Sequence, residues 1–368
     1  MSDINFVTID ADQIINELIS QFEKAHKATL YPGDERRIFL YQLAQVLVNN
    51  YNAINDTGRQ NLLRYARGQA LDAMGEFFDC PRLAAQKASV TLRFTLSAAQ
   101  PTDIIIPAGI RATPDGSLYF ATVRAITISA GQSTGDVTVE ASIPGKQYNG
   151  YAAGQIKNLV DPVPYVASVI NTNKSDGGAD IETDDDYRKR IRLAPQSYSV
   201  AGPEGSYVYW ALTADSNIAD ISVSSPSAGV VRITPLLTGG EIPGQAVLDR
   251  VLAVVSAKNR RPLTDNVQVG APTQVPYNIT LTYYISSADQ AREAAIRSTI
   301  EDAGGAVDKY KAWQCEKLGR AINPDQLRYL MMLAGASRII LDSPVYTEIT
   351  DEQVTAAGTV NIAYGGLE

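Results

Sequence analysis

The spacing of apolar positions along the chain changes from a helical to an extended period and then alternates between the two. Between 10 and 28, Ile14, Ile15, Leu18, Ile19 and Phe22 recur three and four residues apart, which gathers them on one face of a helix. After Tyr31-Pro32-Gly33, Asp34 is placed to cap a second helix of about twenty residues. Its stripe is Phe39, Leu43, Leu47, Tyr51 and Ile54, with Val46 beside it. A third helix carries Leu71, Met74 and Phe78, is weakened by Gly68 and Gly75, and stops at Cys80-Pro81, where the next amide donor is missing. Residues 1–85 are therefore expected to be helical.

At Ala88 the period falls from 3.6 to 2. SVTLRFTLS, DIIIPAGIRAT, LYFATVRAITIS and DVTVEASIPG read as short strands cut by Pro, Gly and Asp. The stretch 143–182 is rich in Pro, Gly and Asn, has VASVINTN as its clear strand and ends in the turn-forming DGGAD, so 86–182 is expected to be a β-rich domain. Thr183 opens the helix TDDDYRKRIRLA, with acids beside the positive helix end, bases later and Pro195 as the stop. Gly202-Pro203 starts a helix with Tyr207, Trp210, Ala211 and Ala214 on one face; strand IADISVS, a turn at SPSAG and strand VVRITPLL follow. A helix from Gly244 to Lys258, with Leu248, Val251, Leu252 and Val255 inward, and a strand NVQVG complete an α+β sandwich over 183–272.

From 273 to 368 the scheme recurs: strand YNITLTYYIS, helix ADQAREAAIRSTIEDA ended by Gly304-Gly305, a helix after Asn323-Pro324 carrying Leu327, Leu330 and Met331, and strand RIILDSP. The final strand, TVNIAYGGLE, either pairs within the chain or lies on a partner's sheet edge. The expected fold class is α+β and multidomain: an N-terminal helical segment, a central β-rich domain, then two small α+β sandwich domains.

Composition narrows the function. The 368 residues suit roughly two to three domains at ~150 residues each. Thirty-two Lys plus Arg against forty Asp plus Glu leave a net charge of −8, which argues against a nonspecific grip on nucleic acid phosphates. No apolar run approaches the ~20 residues of a membrane span, and the N-terminus has acids where a secretory signal needs bases, so no membrane insertion and synthesis in the cytoplasm are expected. Two cysteines, Cys80 and Cys315, far apart in sequence, suit a reducing compartment. Nineteen Tyr against seven Phe favour half-buried, interface-like surfaces.

Candidate chemistry is sparse. Phosphate-loop, dinucleotide-turn, nucleophile-elbow and H-E-x-x-H motifs are absent, and one histidine with two cysteines cannot build a conventional zinc site. Glu182, Asp184, Asp185 and Asp186 resemble a carboxylate cluster, but acids after a Thr cap are the ordinary complement to a helix dipole. Asn171, Asn173, Ser175 and Glu182 fall at positions one, three, five and twelve of a calcium loop, yet the first position lacks Asp and the sixth is Asp176 rather than Gly, so a structural turn is the better reading. Arg188, Lys189, Arg190 and Arg192 read as a solvated or salt-bridged helix face, and His26, between Lys24 and Lys27, as a surface residue. No catalytic residue, metal or cofactor is assigned. The sequons at Asn55, Asn173 and Asn278 are set aside for want of a secretory signal.

Six strings occur in order: RGQALDAMG at 67–75, IPAGIRAT at 106–113, NTNKSDGGADIETDDDYRKRI at 171–191, SYSVAGPEGSYVYWAL at 197–212, SPSAGVVRI at 225–233 and RRPLTDNVQV at 260–269. On these the chain resembles the baseplate J-like proteins of contractile-tailed phages and related injection particles. The resemblance implies a structural wedge subunit of the baseplate, paired with a second copy of itself and a smaller wedge protein. It also implies contacts with neighbouring baseplate and sheath-initiator subunits, a place in the virion tail baseplate or a tail-like particle, and assembly in the bacterial host cytoplasm. Within that expectation the stripe Phe39, Leu43, Leu47, Tyr51 and Ile54 packs in an inter-chain helical bundle or in a small domestic core. Tyr346 and the tail strand near Ile362 are candidates for a contact between copies. Two other functions compete: a tail-associated glycan-degrading enzyme, which needs two carboxylates facing across a groove, and a receptor-binding adhesin, favoured by the β-rich 88–170 but not by the helical ends.

Overall fold

A computed structural model of the chain describes residues 4–199 and 201–368. Residues 1–3 of the expected helical segment, and Val200 within the SYSVAGPEG string, lie outside the described residues. The chain divides into two compact units, 1–81 and 82–368.

The first unit holds α1 (Ala11–His26), α2 (Glu35–Gln60) and α3 (Gly68–Glu76). Asp10 caps α1 by accepting from the Gln13 amide at 2.9 Å, and Asp34 caps α2 by accepting from the Arg36 amide at 2.9 Å. The core is small: Ile19, Leu30 and Leu40 are buried, with Ile15, Leu18 and Phe22 packed on them and Ala44 buried further along α2. At 26 residues α2 outruns the expected twenty. Its last turns are tied to an extended segment before α1: the Asn55 carboxamide accepts from the Phe6 and Val7 amides and donates to the Val7 carbonyl, each at 2.8 Å. Gly58 lets the Phe6 ring lie close against the helix, since a Cβ there would sit 2.4 Å from it. Helix α3 ends at Glu76, before Phe78, as Asp79 turns to φ 50° and the Cys80 amide closes on the Gly75 carbonyl at 3.0 Å.

The second unit begins with a β-domain. Its strands are β1 (Ser89–Leu96), β2 (Ile104–Ile106), β3 (Arg111–Thr113), β4 (Phe120–Thr122), β5 (Ile126–Ile128), β6 (Thr134–Ala141), β7 (Asn158–Leu159) and β8 (Val166–Asn171). Six form an antiparallel sheet in the order β7-β3-β4-β6-β1-β8, and β2 pairs with β5 as a separate ribbon. The sheet curls toward closure at Asn171, whose amide donates to the Ile156 carbonyl and whose side chain accepts from the Ile156 amide. Alternation turns Val90, Leu92, Phe94 and Leu96 of β1 inward against Val137 and Val139 of β6 and Phe120, which meets Tyr148 edge-on.

Next come α4 (Asp184–Leu193), α5 (Glu204–Leu212), β9 (Ile218–Ser227), β10 (Val230–Leu237), α6 (Gln245–Val255) and β11 (Asn266–Val269). β9 and β10 form a hairpin, while β11 returns through α6 to lie parallel to β10. The inward face of α6 is Val247, Val251 and Val255 rather than the Leu248/Leu252 side, and Leu252 is exposed. The apolar residues surround this helix too closely for spacing to fix its phase.

The last domain has β12 (Thr273–Ile285), α7 (Glu293–Glu301), α8 (Ala306–Cys315), α9 (Pro324–Leu333), β13 (Arg338–Ser343) and β14 (Gln353–Leu367). The sheet order is β13-β12-β14; β13 is antiparallel and β14 parallel to β12. Helices cover the face carrying Tyr277, Ile279, Leu281, Tyr283 and Ile285. The chain is thus N-terminal helices, a barrel-like sheet and two smaller α+β domains.

Candidate assembly surfaces

The stripe on α2 is largely outside the core of its own unit. Phe39 is 64% exposed, Ile54 48% and Leu43 37%, while Leu47 and Tyr51 are half-buried. Ile38 and Val46 add to the exposed apolar surface. Leu40 and Ala44, one residue on from Phe39 and Leu43, take the inward positions. Helix α2 therefore carries two rows of apolar side chains, and Phe39, Leu43 and Ile54 of the outer row stay exposed. Exposed apolar groups clustered in this way mark interaction surfaces.

The C-terminal candidates are not brought together by the core. Tyr346 is 61% exposed in the segment after β13, beside Val345 at 68%. Ile362 is half-buried, packs on the domain core and lies opposite Leu281 in the parallel β12/β14 register. The tail strand pairs in cis and forms one of the two edges of the sheet, β13 forming the other.

The polar motifs are absorbed by the fold. Asn171, almost fully buried, accepts from Ile156 and donates to the carbonyls of Ala152 and Asn173, and the Ser175 hydroxyl donates to Tyr148 O at 2.8 Å. These side chains knit loops together rather than face a common point. In the acidic run, Thr183 caps α4, Asp185 pairs with Arg188 and Asp186 with Lys189. Of the basic helix face, Arg188 and Lys189 are salt-bridged within α4 and Arg192 is exposed, as expected, whereas Arg190 is 3% exposed. Its guanidinium grips Glu182, also 3% exposed, at 2.6 and 2.7 Å. Glu182 also accepts from the Leu83 amide at 2.9 Å, so its carboxylate is fully hydrogen-bonded. This pair was missed by pattern reading, since an Arg eight residues after a Glu across a helix start looks like any surface pair. Its signal is the string itself, ETDDDYRKR, in which Glu182 precedes the cap and Arg190 sits two turns on, on the side of Tyr187 and Ile191.

Nearby, Asp215 is wholly buried and ion-paired with Arg250, which also donates to the Gly177 carbonyl at 3.1 Å. Burial pushes the Asp215 carboxyl above the ordinary range, and the neighbouring Asp176 adds to this; Arg250 and the Asn217 amide oppose it. Elsewhere, Asp34 and Asp161 are drawn down to about 2 by hydrogen bonds from Arg36 and Arg111. His26 is exposed and packs on the Phe22 ring, Cys80 is buried, and the Cys315 thiol points to the Gly239 carbonyl. Among the described residues, no group of three or more His, Cys, Asp or Glu is arranged to hold a metal, and no helix is long and apolar enough to cross a membrane.

The arrangement of domains matches known proteins. Residues 91–178 match the baseplate J-like protein barrel domain, 199–271 the baseplate J-like central domain and 277–363 the baseplate J-like protein C-terminal domain. The chain belongs to the baseplate J-like family. Among relatives of this baseplate J-like protein, baseplate protein J of Escherichia phage P2 is 34% identical over 171 residues, 45% of this chain. The match spans 53% of the P2 protein, about half its length. Baseplate protein gp47 of Escherichia phage Mu is 28% identical over 274 residues, 71% of this chain and 73% of that protein. A chain in a six-fold symmetrised baseplate of the anti-feeding prophage aligns over 94% of this chain and 90% of its own length, at 14% identity and a TM-score of 0.42.

Proposed function

We propose that this baseplate J-like chain is a structural wedge subunit of the baseplate of a contractile phage tail or tail-like injection particle. Two copies join a smaller wedge protein, and the resulting units, repeated around a ring, encircle the central hub beside the sheath-initiator subunits. The chain assembles in the bacterial host cytoplasm and does no covalent chemistry; its work is to hold one arrangement of the ring and pass to another when the sheath contracts. The observation that carries this reading is the α2 stripe: Phe39, Leu43 and Ile54 stay exposed on a three-helix unit whose α1 and α2 share only a small core. An amphipathic helix gains most of its stability from packing that face, so a bundle with helices of other chains is the natural cover. Tyr346 and the open edge of β14 near Ile362 serve the contact between copies in the same assembly.

Quantitative mass spectrometry of contractile particles purified from the source cells tests the reading. The expected result is this chain at a fixed ratio of two to one with a smaller baseplate protein. Absence, or a trace amount that varies between preparations, overturns it.

A further inference from the structure

Within residues 82–368 the central domain meets the barrel on one side and the C-terminal domain on the other, and the two junctions are chemically unlike. Among the described residues, the main apolar clusters of the three domains are separate. What differs is how many polar contacts cross and how deeply their charged pairs are buried.

At the barrel side the polar contacts are many, and the Glu182–Arg190 pair among them is dry. The Glu182–Arg190 pair is 3% exposed at both side chains, and Asp215 is wholly buried against Arg250. The Gly178 carbonyl accepts from Asn149 at 2.7 Å within the barrel and from Asn217 of the central domain at 2.8 Å. The Ser216 hydroxyl donates to Asp180 O at 2.6 Å, and the Gln86 carboxamide to Ala214 O at 3.2 Å. Gly177 runs so close to α6 that a Cβ would meet Arg250 at 2.9 Å. The Asp215–Arg250 pair lies within the central domain, but opening this junction takes the Gly177 carbonyl from Arg250 and the Leu83 amide and Arg82 side chain from the Glu182 segment that holds buried Arg190, which is unfavourable.

At the C-terminal side the charged contacts are half exposed, although Gly240 packs closely on Cys315, where a Cβ would lie 2.7 Å away. Glu352 reaches across to Ser224, which donates to it at 2.8 Å, and to Arg232 at 3.2 Å; the two charged side chains are 32% and 41% exposed. The Leu318 amide donates to Asp220 at 2.9 Å, and Cys315 touches Gly239. Only Gly270-Ala271-Pro272 connects β11 to β12, fastened at its two ends by Gly270 N to Ile233 O and Thr273 N to Glu352 O. Water can replace each of these side-chain contacts at little cost.

We infer that barrel and central domains move as one rigid body, and that the chain bends at 270–272, where Glu352 is a releasable clasp on Ser224 and Arg232. The inference rests on the chemistry of the junctions and stands whether or not the chain works in a wedge.

Pulsed electron paramagnetic resonance on the full chain tests it. Spin labels at Thr127→Cys and Asn259→Cys report the barrel junction, and labels at Asn259→Cys and Lys309→Cys the C-terminal one, in a Cys315→Ser background with Cys80 left buried. Glu352→Ala is expected to broaden the Asn259–Lys309 distance distribution and to leave Thr127–Asn259 narrow. Arg232→Gln is expected to do the same more weakly, and raising salt to broaden the unsubstituted Asn259–Lys309 pair through screening. An unchanged thermal transition in the Glu352→Ala chain shows that the domains stay folded. Two narrow distributions in both variants overturn the clasp, and broadening across Thr127–Asn259 overturns the rigid body.

Discussion

The barrel and the N-terminal helices spend similar apolar residues in opposite ways. The barrel turns Leu92, Phe94, Ile106 and Phe120 completely inward, and alternation along β1 and β6 places every second side chain in one continuous core. The helical unit buries Ile19, Leu30 and Leu40 and leaves Phe39, Val46 and Ile54 about half or more exposed. The barrel buries its apolar residues within the single chain, whereas the helical unit leaves a row of them exposed. Stability and assembly are therefore separable by mutation.

The largest effect is expected inside the barrel. Phe94→Ala removes a fully buried ring and should cost ~3–5 kcal/mol of barrel stability, read as a shift in the urea midpoint of the intrinsic fluorescence or circular dichroism transition. A loss under ~1 kcal/mol would mean that the site collapses around the deletion and that the barrel core is less rigidly packed than its geometry implies. Glu182→Ala comes next. It leaves Arg190 buried without its carboxylate and Leu83 without an acceptor, and should cost roughly 3 kcal/mol in the same measurement. Replacing both, as Glu182→Leu with Arg190→Met, should recover most of that loss, because it is the orphaned charge that is costly.

Acid and base titration separates the regions in a smaller way. Asp215 has its carboxyl raised by burial, so its contribution is fully present below the unfolded value of 3.8 and is lost as pH rises through the folded value. Asp34, the α2 cap, is lowered to about 2, so its contribution is present above 3.8 and is lost as pH falls toward 2. Hydrogen exchange followed from neutral pH to about 3, corrected for the intrinsic rate, should show the first turn of α2 loosening while the segment around Asp215 tightens. Asp215→Asn should flatten the second trend. Tightening that persists in that variant would assign it to other carboxylates.

Much of this fold was legible because short-range rules governed it. Asp34, Thr183 and Asn323 announced their helices, and their side chains do accept from the first-turn amides. The two-residue period of β1 and β6 marked them as strands, and their burial does alternate. What sequence hid depends on distance in space. Helix α8, AVDKYKAWQC, buries Val307, Tyr310 and Gln314, but Lys and Asp between them blur the stripe. The parallel partners β10/β11 and β12/β14 are joined across whole helices, which no local pattern reports. The same holds for Glu182 with Leu83 and for Glu352 with Ser224, each a contact between segments about a hundred residues apart. For the candidate surface, spacing gave the stripe Phe39, Leu43, Leu47, Tyr51 and Ile54. It did not give the second, inward row at Leu40 and Ala44, because a helix apolar on two sides has no single preferred face.

That second row makes the sharpest test of the comparison, and the one with the smallest effect on stability. Phe39→Ala with Leu43→Ala removes exposed apolar groups and leaves Leu40 and Ala44 in place, so the isolated chain should change by no more than ~0.5 kcal/mol, with the helical circular dichroism signal retained. Leu40→Ala, one residue away on the same helix, deletes a core side chain and should cost ~2–3 kcal/mol and fray the pair. If the exposed row is the face that other chains cover, the double variant should be incorporated into purified particles at a small fraction of the unsubstituted level when the two are co-expressed. Equal incorporation would mean that the row is merely tolerated on the surface, and the face that other chains cover would have to be sought elsewhere in the chain. A stability loss as large as that of Leu40→Ala would mean instead that Phe39 and Leu43 pack at home, and the contrast between the two regions would disappear.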